Sequence, residues 1–505
     1  MRLQNIGVFA FIFLCICTIG NSQQIVYSEP EKDDSRKIDF EIIGKLGNNY
    51  LVYKNVRGSN FICEYDGEMK QVKKIEQEYM PTERLINVDF FAYTDYAYMI
   101  YQYQKRNIVY CMAVKLDVSG SKIGEPMELD TSSIGLATNN KIYTSIVSED
   151  KQKIIVFKIN SKNRNSYLIS TMLFDNKLNL LKKTSLPMPM DEFRNHLGEF
   201  ILDNEGNLVF TKFYRVGTES ISQVEIIIKK AMEDSFVLHS VHLDKIYLDE
   251  LRLKADNFNG RYLLCAFYFK QKRGSIEGLY FYGLNRNSSK ADLVLESPFG
   301  EDLRREAKKN ANIKVSFNDY FLRNIFMKRD GGFIVDMEAS YTTSKNSTFN
   351  RFDNFYSSPY FSPYDYYSYS PYNSSWRWRR DNQQQTRYHA DNIVILSFDK
   401  NGQIGWRNVI SKEQFDDEGD EKISYQVMNT GGQLHFLFNQ YETRNLLLND
   451  YILLPNGKIN RSSTLKNLDL GHEFMPKFSK QVGVRQLVVP CFFRNYICFA
   501  KIDFN

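Results

Sequence analysis

The chain has 505 residues, 43% of them hydrophobic and 25% charged, a balance that excludes wholesale disorder. Lys and Arg total 65 against 60 Asp and Glu, and the resulting +5 is too nearly even for a dedicated nucleic-acid binder. With 33 Tyr and 37 Phe but only 12 Pro, strand-forming residues are abundant.

Residues 1–22 read as a signal peptide. Arg2 supplies the positive start, Ile6 to Ile19 is an apolar run without charge, and Gly20-Asn21-Ser22 places small residues before a cut. As a helix that run spans about 21 Å, short of the roughly 30 Å of a bilayer core. Export is therefore expected, to the periplasm or to the cell surface and beyond. Cleavage after Ser22 would leave 483 of the 505 residues. No later run reaches the roughly 18 apolar residues of a spanning helix, so the sequence predicts no transmembrane segment after cleavage.

Residues 23–36 are polar and charged and read as a flexible lead-in. From residue 37 to 505 short β-branched and aromatic runs alternate with Gly, Asn and Asp clusters, the signature of an all-β fold. The clearest helix is Glu301 to Asn310, with acids first and bases last as the helix dipole favours. Lys229 to Asp234 is a candidate for a second short helical turn.

The turns recur in order. One class includes Asn48-Asn49, Thr94-Asp95, Asn139-Asn140, Asn204 to Asn207, Asn259-Gly260, Asp330 to Gly332, Thr430 to Gly432 and Gln481 to Gly483. A second follows one strand later: Asp66-Gly67, Asp117 to Gly120, Asp175 to Lys177, Asp399 to Gly402 and Pro455 to Gly457. Between them lie polar links such as 215–223, 270–277 and 441–445. The unit this predicts has four antiparallel strands, A to D, with tight A–B and C–D turns and a long B–C loop. The first class recurs about every 62 residues, or about 55 without one insertion, which fits a four-stranded repeat with generous loops. Stacking such units radially buries their apolar faces. The predicted fold is a β-propeller of seven or eight blades, closed by pairing Ile38–Ile43 at the start with Ile497–Phe504 at the end. The competing fold is a tandem pair of β-sandwiches.

Residues 344–390 interrupt the pattern as an outsized B–C loop, with 6 Lys and Arg against 3 acids. Its candidate ligand-binding residues are Tyr364, Tyr366, Tyr367, Tyr369, Trp376, Arg377, Trp378 and Arg379. Tyr and Trp offer broad amphipathic area, and Arg adds planar donors. A glycan or an envelope protein suits such a surface. The alternative is a low-complexity loop with no binding role.

Catalytic signals are sparse. The six histidines are scattered; His239 and His242, three apart on a strand, point to opposite faces. No nucleotide, cofactor or metal motif is present, and the acidic run Asp416 to Glu421 lacks the spacing of a Ca²⁺ loop. Catalytic residues are therefore unassigned. Carboxylates near a propeller axis would still suit a carbohydrate-active enzyme. Beyond the leader the cysteines are Cys63, Cys111, Cys265, Cys491 and Cys498, an odd set. The first three sit in apolar runs as small hydrophobes. A two-residue turn at Arg494-Asn495 would set Cys491 opposite Cys498, where a disulfide or two free thiols both fit.

The stretch from Ile393 to Gly402, with Trp406, Ile410-Ser411-Lys412, Gln414 and Ser424-Tyr425, resembles a segment of uncharacterised secreted β-propeller-like proteins of Bacteroidetes-type bacteria. The resemblance covers about 35 residues. It implies an envelope or secreted location and no particular reaction.

Overall fold

In a computed structural model the described residues are 24–30, 38–81, 84–134, 141–163, 165–190, 194–216, 220–272, 274–309, 313, 315–344, 386–417, 419–442, 445–462, 471–494 and 496–504. Their strands form seven hydrogen-bonded antiparallel sheets. One sheet has eight strands and is two successive meanders joined by the single pair Ile221–Leu248. The fold is thus an all-β propeller whose chain carries eight four-stranded units. Their first strands are Ile38–Leu46, Leu85–Ala92, Tyr143–Val147, Asn195–Leu202, Tyr247–Asp256, Tyr320–Met327 and Tyr425–Asn429, for blades 1 to 7. Blade 8 begins with an interrupted strand, His472–Phe474 and Lys480–Gly483, split by the 3₁₀ turn Pro476–Phe478.

The apolar residues explain why the units stand side by side. Side chains alternate across a strand, and both faces of each meander are apolar. In blade 7, Phe436 and Phe438 pack on blade 6 while Leu437 between them packs on blade 8. The buried residues resolve into eight clusters among the described residues, one between each neighbouring pair, and blade 8 against blade 1 completes the circle. First strands of adjacent blades approach one another, including Ile38–Leu46 against Lys480–Gly483, so they form the inner wall. Fourth strands such as Gln71–Glu76 lie almost wholly exposed at the rim.

The ring closes through its ends. Gln24–Tyr27 pairs with Tyr496–Asp503, from Gln24 opposite Asp503 to Tyr27 opposite Ala500. Ser28 extends the contact: its N–H donates to the Phe499 carbonyl at 2.8 Å, and its Oγ accepts from the Phe499 N–H at 2.9 Å. Residues 24–27 are therefore the outer strand of blade 8 and not part of a flexible lead-in. Ile38–Leu46 is instead the inner strand of blade 1.

Several turns sit as the sequence predicts, and the exceptions have geometric causes. The A–B turn of blade 3 falls at Ser148–Gln152, and Asn139-Asn140 lies outside the described residues. In blade 8, Gln481 to Gly483 is strand, and the turn follows at Val484-Arg485. Lys229–Asp234 is a strand end and C–D link, not a helical turn. The sequence places the roomy connections at B–C. Most B–C links are tight, as at Arg57-Gly58 and Arg106-Asn107; 270–277 and 345–385 are the long ones. Length lies mainly in the D–A links, which must cross from rim to axis. In a four-stranded meander B–C and D–A connections share one end, so the predicted end for the large insertion is unaffected. The helix Glu301–Lys308 lies in the link into blade 6, with Leu303 and Ala307 buried in the blade 5–6 core.

Burial between blades carries the stability. Phe438→Ala, in the blade 6–7 core, should cost about 3–5 kcal/mol, whereas Ile404→Ala on the exposed outer strand of blade 6 should stay within about 0.5 kcal/mol. Urea unfolding of the two variants checks this contrast.

Candidate functional site

The insertion connects the second and third strands of blade 6, Phe333–Ser344 and Thr386–Phe398. Both strands run past the body of the sheet, remaining paired to Ser344 opposite Thr386. The insertion proper is thus 345–385, tighter than 344–390, because its first and last residues are still in the ladder. A short third strand, Phe415–Asp416, pairs with Tyr388 and His389. Together they make a stalk at the end that bears the inter-blade links.

Ring and charge contacts fix this stalk. Tyr341 stacks on His389 at 4.5 Å with an 8° tilt. His389 Nε2 lies 3.0 Å from Thr343 Oγ1. Arg387 donates to both carboxylate oxygens of Asp417 at 2.6 and 2.9 Å and lies 4.4 Å over Phe415. Phe415 itself is half exposed. The acidic run Asp416 to Glu421 is thus partly ion-paired: Asp420 also meets Lys477 at 2.5 Å.

Beneath the stalk lies a buried polar network. Lys412 and Glu338 are both fully buried and meet at 2.8 Å. Lys412 Nζ also donates to the Ala390 carbonyl at 2.6 Å and Gln414 Oε1 at 2.7 Å. Ser424 Oγ donates to Glu338 Oε2 at 2.6 Å, and Arg323 approaches the same carboxylate at 2.9 Å. Tyr425 OH donates to Asp336 at 2.7 Å, and Tyr341 OH donates to Asp391 at 2.8 Å. Lys412, Gln414, Ser424 and Tyr425 are residues of the segment singled out from the sequence; here they tie blade 6 to blade 7. Asp336 and Glu338 were missed. Their spacing of two on an apolar strand was the available signal, since it places both on one face.

Burial dominates the electrostatics. It pushes Asp336 up to about 7, with the Tyr425 and Asn324 hydrogen bonds opposing and the Glu338 charge adding to the rise. Burial would raise Glu338 too, but Lys412 and Arg323 outweigh it and hold that carboxyl below its ordinary value. Split carboxyls of this kind can act as acid and base. These two are fully buried with their partners supplied by the protein, which suits a clasp better than an exposed reaction centre.

The inner wall carries a second set of acids. Glu199 and Glu250 occupy left-handed bulge positions, φ 54° and 50°. Each reaches the next blade: Glu199 accepts from Leu253 N at 3.1 Å and Glu250 from Leu322 N at 3.0 Å. Asp89 of blade 2 accepts from Lys141 and Ser145, at the start of blade 3. In blade 1 Glu41 is nearly buried, and its Oε1 has no hydrogen-bond partner among the described residues. Burial pushes Glu41 up to about 8, against the pull of Lys480.

Among the described residues no group of three or more His, Cys, Asp or Glu is placed to hold a metal. No helix there is long and apolar enough to cross a membrane. The leader and Tyr364, Tyr366, Tyr367, Tyr369, Trp376, Arg377, Trp378 and Arg379 lie outside the described residues.

No protein-family model matches the chain. No curated protein matches it in sequence. Among solved structures it is similar to the polysaccharide lyase Uly1, at 8% identity and TM-score 0.39, covering 83% of this chain and 90% of that one. It is also similar to the β-propeller domain of the Trilobed protease from Pyrococcus furiosus, described as having an open velcro topology (8%, TM-score 0.38, 84% and 94%). Prolyl oligopeptidase B from Galerina marginata gives 8% and 0.42, with 91% of this chain against 56% of that one.

Two outcomes follow from the clasp. Lys412→Met leaves buried Glu338 with Arg323 as its remaining cation and should cost about 3–5 kcal/mol in urea unfolding; adding Glu338→Gln should recover part of that loss. An acid with a higher folded than unfolded pKa holds its proton more tightly when folded. Asp336 therefore lowers stability as pH rises from about 4 to about 7, and Asp336→Asn should lessen the decline seen in a urea-unfolding pH series, leaving the part that Glu41 contributes.

Proposed function

We propose that the protein is an exported, non-enzymatic binding or scaffolding propeller of a bacterial cell envelope. Its ligand, a glycan or an envelope protein, is held at the end that bears the inter-blade links. The stalk of blade 6 is the observation that carries this reading. A paired, stacked, ion-bridged hairpin over a buried clasp is a rigid mount, and what it mounts is the Tyr-, Trp- and Arg-rich segment 345–385. The leader supports export, and the segment 393–425 supports the envelope assignment through its resemblance. The near-even charge speaks against a nucleic-acid partner.

A second reading rests on Glu41. A nearly buried carboxyl with an oxygen unpaired among the described residues, pushed up to about 8 on the inner wall near Asp89, is the type of proton carrier a carbohydrate-active enzyme uses.

One experiment separates them. Replacing 350–382 by a short Gly/Ser linker should leave the unfolding midpoint unchanged and weaken capture of glycans or envelope extract by roughly 10-fold or more. Unchanged capture removes the binding reading. Turnover in a polysaccharide-degradation screen, abolished by Glu41→Gln, would establish the enzyme instead.

A further inference from the structure

We propose that Cys491 and Cys498 form a disulfide that staples the closing blade. They face each other across the hairpin Gln486–Phe493 and Tyr496–Asp503, two residue pairs in from its tip. That register is a hydrogen-bonded pair, with Cα atoms about 5.5 Å apart, inside the window for a bridge. Both are thiols in the structure, and both are buried. Their sulfurs lie 2.7 Å apart, inside the roughly 3.5–4.0 Å at which non-bonded heavy atoms rest.

The surroundings favour one direction of attack. The hydrogen bond from Cys491, against the opposing effect of burial, draws the Cys498 thiol down to about 7, and His472 adds to this. His472 is held in place by stacking on Tyr27 at 4.1 Å and Phe493 at 4.7 Å. The co-reactant is a second disulfide, R–S–S–R, such as oxidised glutathione. Cys498 thiolate attacks one of its sulfurs and expels one RS⁻. Cys491 thiolate then attacks the Cys498 mixed disulfide and expels the second. Cys491 and Cys498 are oxidised, R–S–S–R is reduced, and the two thiol protons end on two RSH. Reaction during folding, once His472–Phe474 has paired with Gln486–Phe493 and before blade 7 covers the two cysteines, requires no opening of the finished ring.

The bond would act where the ring closes. One edge of Tyr496–Asp503 receives Gln24–Tyr27, and the other pairs with Gln486–Phe493. Locking the hairpin register fixes the edge on which the first strand docks.

Arg494 lies between the two cysteines, which makes the test direct. Trypsin cuts there and divides them between peptides 486–494 and 495–501. The full chain is refolded with oxidised glutathione, quenched in acid, alkylated under denaturing conditions and digested without reduction. A single species joining the two peptides is expected, about 2 Da lighter than their sum. Recovery of both peptides alkylated would overturn the proposal. So would either peptide carrying glutathione alone, or joined to Cys63, Cys111 or Cys265.

Discussion

A β-meander with two apolar faces is insoluble alone and must be covered on both sides. A row of such sheets always leaves two faces bare, and a closed ring leaves none. That is the constraint behind this chain. Among the described residues the buried side chains lie in eight separate cores between successive blades, with no single central one. Each core depends on the position of its neighbours, so the blade 8–1 core is the one the chain cannot make by local folding. The pairing of Gln24–Tyr27 with Tyr496–Asp503 supplies that step.

Polar groups on the inner strands add specificity to the apolar cores. Glu199, Glu250 and Asp89 each reach forward to the next blade, and the Glu338–Lys412 clasp does the same beside the axis. A buried charge left without its partner is costly, so these contacts penalise wrong spacing more than they add stability. Their consequence for function is rigidity at one end. The blade 6 stalk can project past the sheet because the residues beneath it are pinned from four strands and an inter-blade link.

Much of the repeat was legible because tight turns need particular residues. The Asp-Gly and Asn-Gly positions at 66–67, 259–260 and 399–402 sit at hairpins whose backbone enters the left-handed region at Gly260 and Gly402. Gln24–Tyr27 was hidden because Ile25-Val26-Tyr27 is a short run amid polar residues, and an outer strand needs little apolar content. The clasp was half visible. Lys412, Gln414, Ser424 and Tyr425 stood out as a pattern, but their acidic partners Asp336 and Glu338 lie on a strand more than seventy residues earlier, and only the ring brings them together.

Closure by the first strand is tested most directly by amide hydrogen exchange on the intact chain and on a chain beginning at Pro30. In the intact chain the amides of 496–503 should be among the slowest. In the shortened chain they should exchange faster, and the loss should spread to 49–56 of blade 1 and 434–442 of blade 7, which share cores with blade 8. Equal protection of 496–503 in both chains would contradict a ring held shut by its own beginning.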